Sequence, residues 1–180
     1  MQSVPDRRPL SLAKRTAPQP HRAWPRRRLF ESLDAARRRG NLVWIAAPAG
    51  SGKTVLVASY LQARRLRAVW YRIDAADSDA ASFFHDLGLA ARGASGRRKE
   101  AMPTLAAEYR EGLPVFARNW FRRFYERIDG VPLLVCDDYH ELAADSPVHL
   151  AMREALAEVP PGLTVIVVSR THPPPVLTRL

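Results

Sequence analysis

Apolar and polar positions follow two rhythms along this chain. Leu29, Phe30, Leu33 and Ala36 recur at helical spacing and predict a short helix that ends near Gly40. Leu42–Ala46 (LVWIA) is a compact apolar run ahead of a glycine-rich turn, the pattern of a buried strand. Thr54–Arg65 reads as a helix and Val69–Ile73 as a second strand. Ser78 or Asp79 is placed to cap a helix through Phe83, Phe84 and Leu87. The polar stretch 92–104 predicts a loop. Leu113, Phe116, Ala117, Trp120, Phe121, Phe124 and Ile128 form one apolar helical stripe and are read as core. Leu133–Cys136 is a third strand, Val148–Leu156 a helix, Pro160-Pro161-Gly162 a turn and Thr164–Val168 a fourth strand. Pro173-Pro174-Pro175 halts any regular element.

Strands alternating with helices predict an α/β fold: a mainly parallel sheet with helices on both faces, a three-layer sandwich. Residues 1–25 stand apart. Their five prolines predict an extended arm, which leaves 26–180 as the folded domain.

Composition narrows the class. With 47% hydrophobic residues in 180, a real core is within reach. The single cysteine, Cys136, excludes an internal disulfide and a cysteine-only zinc site. Met1–Leu10 lacks the apolar stretch of a secretory signal, and Leu42–Ala49 is too short to span a membrane. A soluble cytoplasmic protein without a membrane partner is therefore expected. The net charge is +10, and residues 1–40 hold eleven Lys/Arg against three acids. Such an arm attracts nucleic acid without sequence preference, or is simply a solvated, arginine-rich leader.

The chemistry concentrates in Ala47-Pro48-Ala49-Gly50-Ser51-Gly52-Lys53-Thr54, between a predicted strand and a predicted helix. Except for Ala47 in place of the first glycine, it fits the P-loop pattern G-x-x-x-x-G-K-[ST]. Gly50 and Gly52 let backbone N–H groups converge on phosphate oxygens, and the helix start adds its positive dipole end. Lys53 is assigned to the β- and γ-phosphates and the Thr54 hydroxyl to Mg²⁺. Ala47 matters only if that position needs a positive φ. A second signal is Leu133-Leu134-Val135-Cys136-Asp137-Asp138, an apolar strand ending in acids at the edge where the P-loop lies. Asp137 is expected to hold Mg²⁺ and Asp138 to orient or deprotonate the attacking water. A third is Arg170, directly after the fourth strand, which could reach a γ-phosphate or be a plain surface residue. No guanine-specificity motif of the Asn-Lys-x-Asp type occurs, which favours ATP over GTP. Asp74, Asp77 and Asp79 lack calcium-loop spacing and are read as capping and turn residues. His140 lies near the site, without a histidine neighbour that would suggest a metal pair.

Taken together, Ala46–Leu56 (AAPAGSGKTVL), Trp70–Phe84 (WYRIDAADSDAASFF), Leu133–Leu142 (LLVCDDYHEL) and Val167–Pro174 (VVSRTHPP) resemble the ATPase module of the MalT-type regulators. These are large, ATP-binding, LuxR-linked transcriptional activators of the STAND class of P-loop ATPases, whose module is NB-ARC-like. The resemblance covers roughly residues 24–180. It implies a slow, Mg-dependent ATPase acting as a regulatory switch, with ATP and Mg²⁺ as cofactors and self-association through the ATPase domain. Pro25-Arg26 resembles a Pro-Arg element that lies near the adenine in that family, so Arg26 joins the candidate nucleotide-binding residues. Measured against the family, the chain is expected to be a P-loop NTPase domain truncated before its fifth core strand. It would then lack the sensor and DNA-binding domains, and DNA contact would come only from those or weakly from the basic arm. The alternatives are a small P-loop kinase, with 92–99 as an arginine lid, and a hydrolysis-dead adaptor that binds partners or DNA.

Overall fold

The computed structural model describes residues 13–20, 24–94, 101–106 and 112–178. Residues 1–12 and 21–23 of the predicted arm, and 95–100 of the predicted loop, lie outside that set.

Helix α1 spans Arg27–Arg39, with Phe30 and Leu33 buried and Arg37, Arg38 and Arg39 at the end where the helix dipole is negative. Strand β1 (Leu42–Ala46) follows, and helix α2 starts at Lys53 and runs to Arg64. Strand β2 is Ala68–Arg72. Helix α3 (Ala80–Ala94) is capped by Asp79, whose Oδ2 accepts the Ser82 N–H at 3.0 Å. It carries regular structure into the first residues of the predicted 92–104 loop. Helix α4 (Leu113–Arg127) opens with a proline in its first turn, where no N–H is missed. Strand β3 (Leu133–Asp137), helix α5 (Val148–Ala157) and strand β4 (Thr164–Ser169) complete the described elements.

The four strands are parallel in the order β1-β4-β3-β2. Strand residues alternate between two apolar layers. Trp70, Leu133, Val135, Ile166 and Val168 face α1 and α2, whereas Tyr71, Leu134, Cys136, Val165 and Val167 face α3, α4 and α5. This is the three-layer α/β architecture of a P-loop NTPase. Burial on both faces explains why the strands read as unbroken apolar runs. The α4 stripe is core, with Trp120, Phe121 and Phe124 essentially inaccessible. Each such side chain contributes about 2–3 kcal/mol through burial. Burial likewise pushes the Cys136 thiol up to about 12, so it stays protonated and inert. Among the described residues no helix is long and apolar enough to cross a membrane.

Within the predicted arm, Lys14 is not a solvated residue of a free leader. Its carbonyl accepts the Arg72 N–H at 2.7 Å, so the segment adds a backbone hydrogen bond at the end of edge strand β2. Its ammonium, with a side chain 10% exposed, reaches Asp77 at 2.9 Å, Asp86 at 3.0 Å and Asp74 at 3.2 Å. Proline content signals the absence of helix; it does not reveal whether an extended segment is docked.

A candidate nucleotide-binding site

In a parallel sheet every strand ends at the same edge, and here the register brings the motif residues to one level. Ala46 pairs with Ser169 and Arg72 with Asp137. β4 lies between the P-loop strand and the acidic strand, which leaves a crevice at their carboxyl ends.

The P-loop follows β1 directly. Ala47 donates its N–H to Ser169 O at 3.3 Å, which fastens the loop to β4. Gly50 and Gly52 have φ of +72° and +79°. A Cβ at Gly52 would also come 3.2 Å from an Arg26 guanidinium nitrogen, so glycine is required there on two counts. Ala47 is not among the positive-φ residues, and its methyl group therefore costs the loop nothing. Lys53 turns back over the loop. Its Nζ donates to Ala47 O at 2.7 Å and Pro48 O at 2.9 Å, with Ser51 Oγ at 3.4 Å. No carboxylate pairs with it among the described residues.

Across the crevice, the Thr54 hydroxyl donates to Asp137 Oδ1 at 2.9 Å, and the Asp138 N–H donates to the same oxygen at 3.0 Å. Asp137 is 1% exposed. Burial pushes its carboxyl pKa up, the Asp138 charge adds to this, and the Thr54 hydrogen bond opposes it. A buried carboxylate beside a hydroxyl, raised for want of a cation, is a donor set that suits Mg²⁺. Two protein oxygens leave the remaining positions to phosphate and water, as that ion prefers.

Asp138 sits in left-handed backbone, φ +56°, an unusual conformation that aspartate tolerates better than most. Its carboxylate is held by Arg72, Nε to Oδ2 at 2.9 Å. Arg170 is exposed and follows Ser169, the β4 residue that anchors the P-loop. Arg26 donates to Ser51 O at 3.3 Å and leans over Gly52, on the outside of the loop. The structure thus brings Lys53, Thr54, Asp137 and Asp138 to one edge, with Arg170 and Arg26 at its margins.

Two contributors escape a reading by motif. Arg72 ends β2, and only the β3-β2 adjacency shows that it meets Asp138. A groove of about 440 Å³ runs beside Thr54, Asp137 and Asp138, and its far wall is Ala13, Thr16, Ala17 and Pro18. Asp74 and Asp77 form a capping box around the 3-10 turn Ala75–Ser78, as expected of turn residues. Asp77 also holds Lys14 and accepts the Tyr71 hydroxyl. Among the described residues no group of three His, Cys, Asp or Glu is placed to hold a metal ion.

No protein-family model matches the chain. Its sequence is 34% identical over 135 residues to the HTH-type transcriptional regulator MalT of Yersinia enterocolitica serotype O:8 / biotype 1B, covering 74% of this chain and 14% of that protein. It is also 34% identical over 141 residues to MalT of Yersinia pestis strain Pestoides F, covering 73% and 14%. The chain therefore spans about one seventh of the length of these relatives. Among solved structures, the replication initiator DnaA bound to AMPPCP and single-stranded DNA superposes with a TM-score of 0.40 at 19% identity, covering 86% of this chain and 41% of that one. A DNA replication initiation factor superposes at 0.37, also at 19% identity, covering 84% and 40%. Superpositions this loose carry no argument about the site. The resemblance to the MalT-type regulators is established by the sequence matches.

Proposed function

We propose that this chain, a relative of one segment of the MalT-type regulators, is the ATP-binding and ATP-hydrolysing switch module of a cytoplasmic transcriptional regulator. The observation that carries the reading is the pairing of a carbonyl-held Lys53 with a Thr54–Asp137 contact across one sheet edge. Lysine bound only by neutral carbonyls keeps its full charge for an anion, and the phosphate chain is the anion a P-loop is shaped for.

Residues Ala47–Thr54 would cradle the phosphates, with Lys53 on the β- and γ-phosphates and Arg26 alongside Ser51 and Gly52. Thr54 and Asp137 would hold Mg²⁺, which when bound neutralises phosphate charge and draws electron density from the transferred group. Asp138, fixed by Arg72, is the residue positioned to orient water or accept its proton. Arg170, beyond Ser169, is suited to report the loss of the terminal phosphate. Holding Asp138 in an ion pair supports slow turnover, which suits a switch better than a metabolic enzyme.

Asp138→Asn tests the assignment. The variant should bind MgATP within about three-fold of the parent, less than one order of magnitude in affinity. Its single-turnover phosphate release should fall by at least about a hundred-fold, in keeping with the loss of general-base help. Unchanged phosphate release would remove Asp138 from the role.

A further inference from the structure

Two buried histidines follow β3, and they differ in one respect. His149 on α5 has both ring nitrogens engaged: Nδ1 lies 2.9 Å from the Tyr139 hydroxyl and Nε2 3.0 Å from Ala143 O. His140, with a side chain 9% exposed, has neither nitrogen hydrogen-bonded among the described residues, although both atoms are buried. Glu141 Oε1 comes within 3.3 Å of Nε2 but does not meet hydrogen-bond geometry. Buried polar atoms are paired in the great majority of cases, and an unpaired one calls for a partner from elsewhere.

The position of His140 indicates what that partner is. The residue belongs to the 3-10 turn Tyr139–Glu141, directly after Asp138. The charges that act on its ring are those of Arg170, Asp138, Glu141 and Lys53. Lys53 ends the P-loop and Arg170 follows β4, so the ring lies in the field of two cations assigned to phosphate. Burial, then Arg170, holds the ring below its ordinary pKa and hence neutral. A neutral imidazole offers one N–H donor and one lone pair, and its tautomer is set by whatever it meets.

We propose that His140 is a terminal-phosphate contact: one ring N–H donates to a γ-phosphate oxygen of a bound nucleoside triphosphate, so that His140 favours triphosphate over diphosphate. The proposal rests on the nucleotide-binding reading above. It separates His140 from His149, whose partners are already supplied by the protein.

The test uses the full chain and calorimetric titration with the magnesium complexes of a non-hydrolysable ATP analogue and of ADP. His140→Leu keeps bulk and removes both nitrogens. His140→Asn and His140→Gln return an amide near Nδ1 and Nε2 respectively. His140→Leu should weaken triphosphate binding roughly ten-fold or more, the effect of losing one hydrogen bond to a charged group, and leave ADP binding unchanged. One of the two amide variants should restore most of the preference. Equal weakening of both nucleotides, or no change in their ratio, overturns the proposal. Should His140→Leu fail to fold, the ring ¹⁵N signals of His140 in the parent decide. They should shift with the triphosphate analogue and stay put with ADP, and identical responses overturn the proposal. A parent chain that binds neither nucleotide overturns the nucleotide reading itself.

Discussion

Lys14 and Lys53 stand at the ends of the two outer strands of one sheet, in opposite surroundings. Lys14 at the end of β2 is met by Asp77, Asp86 and Asp74, two of them hydrogen-bonded to it, and by the face of Tyr71 at 5.3 Å. Lys53 after β1 is met by two carbonyl oxygens and a hydroxyl. Carboxylates neutralise an ammonium, whereas carbonyls only position it. The first lysine therefore holds a segment in place, and the second keeps a charge ready for a ligand. A lysine's role follows from what surrounds it, and three carboxylates mark a lysine that is structural.

The contrast is broken most directly at Lys14. Lys14→Met should destabilise the chain by about 3 kcal/mol, because Asp77, fully buried, is left without its cation. Urea unfolding measures this. A second change, Asp77→Asn, should recover part of the loss. A loss below about 1 kcal/mol would class Lys14 with ordinary surface ion pairs.

On the P-loop side the backbone is the sensitive part. Gly52→Ala should cost about 1–2 kcal/mol, since alanine is strained at φ +79° and its methyl group meets the Arg26 guanidinium. The same substitution should weaken MgATP binding in a titration. If stability were unaffected, the loop would be free to take another conformation.

The smallest effect is a pH dependence that belongs to Lys14 alone. Burial works against its charge, but Asp77 and Asp86 outweigh burial and hold its pKa above the ordinary 10.5. A raised folded pKa contributes stability that is fully present below the unfolded value. That stability is lost as pH rises through the folded one. The gap between parent and Lys14→Met should therefore be flat from neutral pH to about 10 and narrow above 10.5. Urea midpoints across that range would show it, and a gap that widens with pH would contradict the assignment.

The strands, the helices and the P-loop were legible because each is a local pattern. LVWIA ahead of Ala47–Thr54, and LLVC ahead of Asp137, announce buried strands that carry loaded ends. What was not legible depended on which strands become neighbours. The order β1-β4-β3-β2 puts Arg72 against Asp138, although 66 residues separate them. Lys14 was hidden for a related reason. Nothing in a proline-rich stretch says that one of its charges will meet a buried aspartate sixty-three positions later. Asp77 was read as a turn residue and serves as one, but its second task appears only when α3 and the N-terminal segment close over it. Arg26 could be named from the resemblance; its seat against Ser51 and Gly52 comes from the way α1 approaches the loop.

The central claim is that Ala47–Thr54 with Asp137 binds Mg-nucleoside triphosphate through a lysine that the fold leaves unneutralised. Calorimetric titration of MgATP into the parent chain and into Lys53→Ala, with urea unfolding of both, tests it directly. The parent should bind one equivalent. Lys53→Ala should lose on the order of a hundred-fold in affinity, about 2.7 kcal/mol, while its stability stays within about 1 kcal/mol of the parent. A Lys53→Ala chain that binds MgATP as tightly as the parent would contradict it.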